Sequence, residues 1–239
     1  MADRTNRELR AEIGVVLAVA LLPEYYPIVV SFFFPGLGES SGVLSLSRGD
    51  FLSEVIKHSS LSVLPLYLIW RSGEPWRRFG FTHPRWFLDT SIIIGVLFAN
   101  YMVAFGVSLL SFGPGHFTND LGEPGTAPET THFIVEEVFF FIDTGGGAFY
   151  EELFMRGYLI PRFEQLLGST WASLLLTSIM FGGLHLDQGM GSVLNTVLAG
   201  LVYGGTFCLF RRLWPIVAAH AVYNLTISPL DQLIGTLGM

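Results

Sequence analysis

The sequence predicts an all-α fold: a polytopic transmembrane bundle of about seven helical spans. Three observations carry this. Of 239 residues, 51% are hydrophobic and 14% are charged, whereas soluble domains carry about 25% charged residues. The apolar residues fall in long runs, and one span needs about 20 of them. The remaining arginines cluster between the runs, as the charge bias of membrane proteins requires.

The first span is expected over about 13–34, interrupted by Pro23 and Pro27, with Glu24 as a polar group at the kink. Asp3, Glu8 and Glu12 dilute the charge of Arg4, Arg7 and Arg10. The run therefore reads as an uncleaved span rather than a signal peptide. The second span is expected over about 51–70, followed by a basic loop at 71–85, and the third over about 88–111. The next loop carries Asp120, Glu123 and Glu129 and no Lys or Arg. The fourth span, about 133–150, holds Glu136, Glu137 and Asp143. Their part is left open between lining an outer polar cavity and capping the span. Gly145, Gly146 and Gly147 follow, each weakening a helix by about 1 kcal/mol against Ala while permitting close approach. The remaining spans are expected over about 170–186, 193–210 and 214–227.

With a cytoplasmic N-terminus, every arginine cluster falls on one side: Arg4 to Arg10, the 71–85 loop, Arg156 with Arg162, and Arg211 with Arg212. The plasma membrane is the expected location and membrane lipid an expected partner. There is no basic patch with interleaved aromatics, so nucleic acid is not an expected partner. The single cysteine, Cys208, has no intrachain disulfide partner and reads as packing.

Charge inside these runs is costly, at least a few kcal/mol per ion near a bilayer centre. Yet Glu151, Glu152 and Arg156 stand together. Glu152 and Arg156 are spaced i,i+4 with Glu on the N-terminal side, the favourable order for a pair on one helix face. Glu151 points about 100° away and is left for another task. A second cluster, Phe181 to His185, contains a glycine pair, and a third places His220 and Asn224 on one helix face. Spans four and five form a hairpin turning near Gly168. Glu151 and His185 are equidistant from that residue in sequence, so they should lie at one depth. His220 lies closer to its own turn at Arg211–Arg212, which leaves it shallower by about 13 Å. The mismatch closes if the 156–168 hairpin projects beyond that turn, which Arg156, Arg162 and Glu164 favour. His58, His83, His116 and His132 are expected to be solvated.

A carboxylate and an imidazole around one water can polarise it as a nucleophile. A second His and an amide supply donors for an oxyanion. The set suits amide hydrolysis without a serine or cysteine nucleophile. The three clusters resemble the E-E-x-x-x-R, F-x-x-x-H and H-x-x-x-(N/D/B) motifs of the CPBP (CAAX protease and bacteriocin-processing, or Abi) family of intramembrane glutamic endopeptidases. The resemblance covers about 147–224. It implies a CAAX-prenyl-endopeptidase-like fold in which Glu151 activates water with His185, and His220 and Asn224 stabilise the oxyanion. Glu152 and Arg156 form a supporting pair, Glu152 also assisting. The chain, 1–239, is then a single membrane domain, with spans one to three (13–111) as scaffold and spans four to seven (133–228) as catalytic core. The expected substrate is a peptide or a membrane protein, and no cofactor or metal is expected. Two alternatives stand beside this: a zinc site of Glu151, His185 and His220, disfavoured by the lack of H-E-x-x-H, and a non-proteolytic scaffold, carrier or immunity-type protein.

Overall fold

A computed structural model describes residues 5–22, 25, 48–111 and 133–236. Glu24, the acidic loop, His116, His132 and the side chains of Glu136, Glu137 and Asp143 lie outside the described residues. Among the described residues the chain is helical, with no strand. Two helices, Trp86–Leu110 and Gly189–Phe210, are long and apolar enough to cross a membrane. Two shorter ones, Thr170–Gly183 and Leu213–Ile227, are also apolar.

Helix α1 (Asn6–Val16) begins before the expected first span because Thr5 and Glu8 close a capping box. This satisfies backbone N–H groups that a helix start leaves unpaired. Leu9, Ile13 and Val16, one stripe at helical spacing, are buried. The helix runs on into a π turn, Leu17–Leu21. Helix α2 (Arg48–Ser72) is followed by a short 3-10 turn, Trp76–Phe79, that ends at Gly80 in the left-handed region, φ 87°. A Cβ there would lie 2.7 Å from Phe207 Cε2, and the Gly80 carbonyl accepts from the Leu213 N–H at 2.9 Å. Glycine is therefore needed where the basic loop crosses the end of the bundle. Helix α3 is Trp86–Ser111.

Helix α4 (Phe133–Glu152) is continuous through all three glycines, so the triplet does not break it. It passes into a π segment, Leu153–Leu159, and then α5 (Ile160–Leu167). Every residue of the π segment is buried. Gly168, at φ 65°, caps α5, and the Ser169 side chain caps α6 (Thr170–Gly183), accepting from Ala172 N–H at 3.2 Å. This is the hairpin turn the sequence predicts. A 3-10 turn, Leu186–Gln188, leads to α7 (Gly189–Phe210) and α8 (Leu213–Thr236).

Helices α6 and α7 pack closely because glycines face side chains across the contact, as in small-xxx-small pairings. A Cβ on Gly204 would lie 2.5 Å from Leu174 Cδ1. A Cβ on Gly182 would overlap Val197 Cγ2 and lie 3.0 Å from the Val193 backbone oxygen, which cannot rotate away. Gly182→Ala is therefore expected to destabilise the protein by about 1–3 kcal/mol, the usual range for overpacking. An unchanged thermal unfolding midpoint in detergent would contradict that packing.

Arg162, in the hairpin, is fully buried. Its Nε lies 3.0 Å from Glu12 Oε1, it pairs with Glu74, and it packs over the Phe79 and Tyr158 rings. Burial, reinforced by the Glu12 carboxylate, pushes the Tyr158 phenol well above its ordinary pKa. The hydroxyl stays protonated and donates to Glu12 at 2.8 Å. These bonds pin α1 to α5.

Candidate active site

The π segment begins immediately after Glu152. A π turn holds more residues per turn than an α turn, so the chain advances less along its axis. Glu164, near the far end of this stretch, pairs with Arg211. Gly168, which closes the hairpin, follows this contact by about one helical turn of chain. His220 lies level with the Glu pair, in reach of both carboxylates.

Glu152 and Arg156 form the expected pair, with Arg156 Nη1 3.0 Å from Glu152 Oε1. Both side chains are almost wholly buried, at 0% and 1% exposure. Arg156 Nη2 also donates to the Gly200 carbonyl at 3.4 Å. Its guanidinium lies 4.4 Å from the Phe181 ring centroid and 5.3 Å from that of Tyr203. Such contacts contribute about 2 kcal/mol or more when desolvated. They give a buried cation the satisfied surroundings it requires.

His220, 5% exposed, lies between the two carboxylates. Its Nδ1 is 2.8 Å from Glu152 Oε1 and its Nε2 is 3.7 Å from Glu151 Oε2. A carboxylate accepts, so Nδ1 carries the proton in that bond. Nε2 is then the ring position turned to Glu151. The imidazole is stacked on Tyr203, with centroids 4.9 Å apart. His185 stands just past the end of α6, which stops at Gly183 rather than continuing to 186. Its Nδ1 is 3.2 Å from the Phe181 carbonyl, which can only accept. Nδ1–H is therefore the donor, leaving Nε2 to accept.

Glu151 and His185 line one cavity of about 140 Å³ with Tyr150, Phe154, Leu184 and His58. At about 30 Å³ per water it holds a few waters. It is smaller than the roughly 300 Å³ at which small-molecule pockets begin. Glu151, with 32% of its side chain exposed, is the accessible member of the Glu pair. Asn224 lies one turn beyond His220 on α8, is exposed, and is outside this cavity lining.

His58 corrects the expectation of a solvated histidine. It is half-buried, stacks on Tyr150 with centroids 6.0 Å apart, and faces the same cavity as Glu151. A Cβ on Gly147 would lie 3.3 Å from its Cε1. The last glycine of the triplet thus gives α2 and its imidazole room beside α4. Tyr203 was also missed. Its signal was present but weak: an aromatic one turn from Gly200 on an apolar helix.

The fold and this cluster define a helical protein with a partly enclosed glutamate–histidine site and helices apolar enough for a membrane. Residues 137–226 match the Rce1-like family model, described as type II CAAX prenyl endopeptidase Rce1-like. The match supports the CAAX protease family that the three motifs resemble, a family of membrane-embedded proteases. No curated protein and no solved structure matches the chain.

Proposed function

We propose that this chain is an intramembrane endopeptidase in which Glu151 and His185 activate a water for attack on a peptide carbonyl. The observation that carries the reading is the shared cavity: an accessible carboxylate and an imidazole with Nδ1 engaged face one space with room for a few waters. Glu151 takes a proton from the water as its oxygen attacks the carbonyl carbon. The same proton passes to the leaving amine when the tetrahedral intermediate collapses. His220, oriented by Glu152 through its Nδ1–H, turns Nε2 toward Glu151 and, once that nitrogen is protonated, donates to the developing oxyanion. Asn224 is the amide that a substrate lying along α8 would meet. Glu152 and Arg156 hold the cluster together.

About seven spans, a cytoplasmic N-terminus and a plasma-membrane location complete the proposal, as does the division into a 13–111 scaffold and a 133–228 catalytic core. The cavity is too small for a lipidated peptide, so it takes the scissile bond while the rest of the substrate lies outside. A CAAX-terminated prenylated peptide is the substrate class the family description suggests. Among the described residues no three His, Cys, Asp or Glu side chains are arranged to hold a metal ion, so the zinc reading gains no support.

The test is hydrolysis by the purified full chain in lipid. A farnesylated peptide ending in a CAAX sequence should be cleaved, with activity retained in a chelator. No cleavage of this peptide or of its unprenylated form would favour the non-proteolytic scaffold. His58 enters the account as a wall of the cavity that fixes the water's place. His58→Phe is expected to lower turnover about tenfold, at the low end of positioning effects, with the unfolding midpoint unchanged. Full turnover would remove His58 from the site.

A further inference from the structure

We infer that a second, larger cavity, remote from the Glu–His cluster in its lining, binds the phosphate headgroup of an anionic phospholipid. It has a volume of about 1090 Å³ and is formed where the basic loop after α2 meets the turn between α7 and α8. Five arginines line it, Arg77, Arg78, Arg85, Arg211 and Arg212, and among the described residues no acidic side chain does. Three of these cations are matched from behind: Arg78 by Glu74, Arg211 by Glu164 and Arg212 by Asp89. The Arg77 and Arg85 guanidinium groups form no ion pair among the described residues. The cavity therefore carries uncompensated positive charge in a shaped space, where a bidentate anion is favoured.

The rest of its wall fits the other end of an amphiphile. Leu209 is 79% exposed, and Phe210 and Trp214 are also exposed, so acyl chains would meet apolar side chains beside the arginines. Trp76 and Trp86 stand exposed at the same loop, the side chains that favour the headgroup level of a bilayer. Basic pockets between helices at that level are lipid headgroup sites in other membrane proteins. Arg211 supplies an independent observation. It caps α7 at φ 51°, the left-handed region where glycine is the cheaper residue. An arginine held there against the left-handed penalty places a guanidinium in the cavity wall.

The inference rests on the membrane reading above but not on proteolysis, so its test needs no substrate. The purified full chain, stripped of lipid in detergent, is incubated with phosphatidylglycerol, with phosphatidylcholine, or with inorganic phosphate alone, and retention is read by native mass spectrometry. Phosphatidylglycerol should be retained at least tenfold more than phosphatidylcholine, and inorganic phosphate should not displace it. The double substitution Arg77→Gln with Arg85→Gln should lower phosphatidylglycerol retention to the phosphatidylcholine level, with the unfolding midpoint unchanged. Equal retention of the two lipids by the unsubstituted chain would overturn the inference, whether or not the variant folds. So would undiminished retention by a folded variant. Displacement by inorganic phosphate would assign the site to a free anion instead.

Discussion

Glu151→Ala is expected to abolish peptide cleavage while leaving the protein folded. General-base assistance contributes about 10²–10⁴ in rate, and in this account no neighbouring group replaces it. Glu152 is wholly buried and already bonded to Arg156 and His220, so it cannot swing into the cavity. The stability effect should be small. Glu151 is partly exposed and its contact with His220 is 3.7 Å, longer than a hydrogen bond. His185→Ala should abolish cleavage in the same way, because it removes the imidazole proposed to activate the water with Glu151. Activity and thermal unfolding of both variants, measured on the same preparations, check this. Normal cleavage by either one refutes the proposed mechanism.

The second large effect is on stability. Arg156→Ala is expected to destabilise the protein by about 3–5 kcal/mol, the cost of breaking a buried ion pair from one side. It strips Glu152 of its cation and leaves the Gly200 carbonyl and the Phe181 and Tyr203 rings facing a gap. Replacing both partners, Glu152→Gln with Arg156→Met, should cost less than Arg156→Ala alone, because no charge is then left unpaired. Denaturant unfolding in detergent gives the comparison. A fully stable Arg156→Ala that has lost turnover would mean that the arginine serves the chemistry instead of the frame.

The Glu152–Arg156 pair was legible because its geometry is local: the i,i+4 spacing fixes it wherever the helix lies. The common depth of Glu151 and His185 was legible because one turn, at Gly168, sets both arms. His58 was not. Its meeting with Tyr150 and Glu151 depends on how α2 packs on α4, and the hint was a single glycine, Gly147, that looked like a helix-weakening residue. The burial of Arg162 was not legible for a related reason. The partners that bury it, Glu12 and Glu74, come from α1 and the loop after α2. The π segment carried no sequence signal, yet it helps set the level of the Glu pair against His220. Asn224 shows the limit of facial spacing. It is i,i+4 from His220, but α8 buries the histidine and leaves the asparagine exposed.

The most direct test of a water-activating glutamate is a comparison of membrane proteomes by terminal peptides, between cells carrying the intact protein and cells carrying Glu151→Ala at equal abundance. The account predicts protein termini that are present with the intact chain and absent with the variant. Identical sets of termini would contradict it.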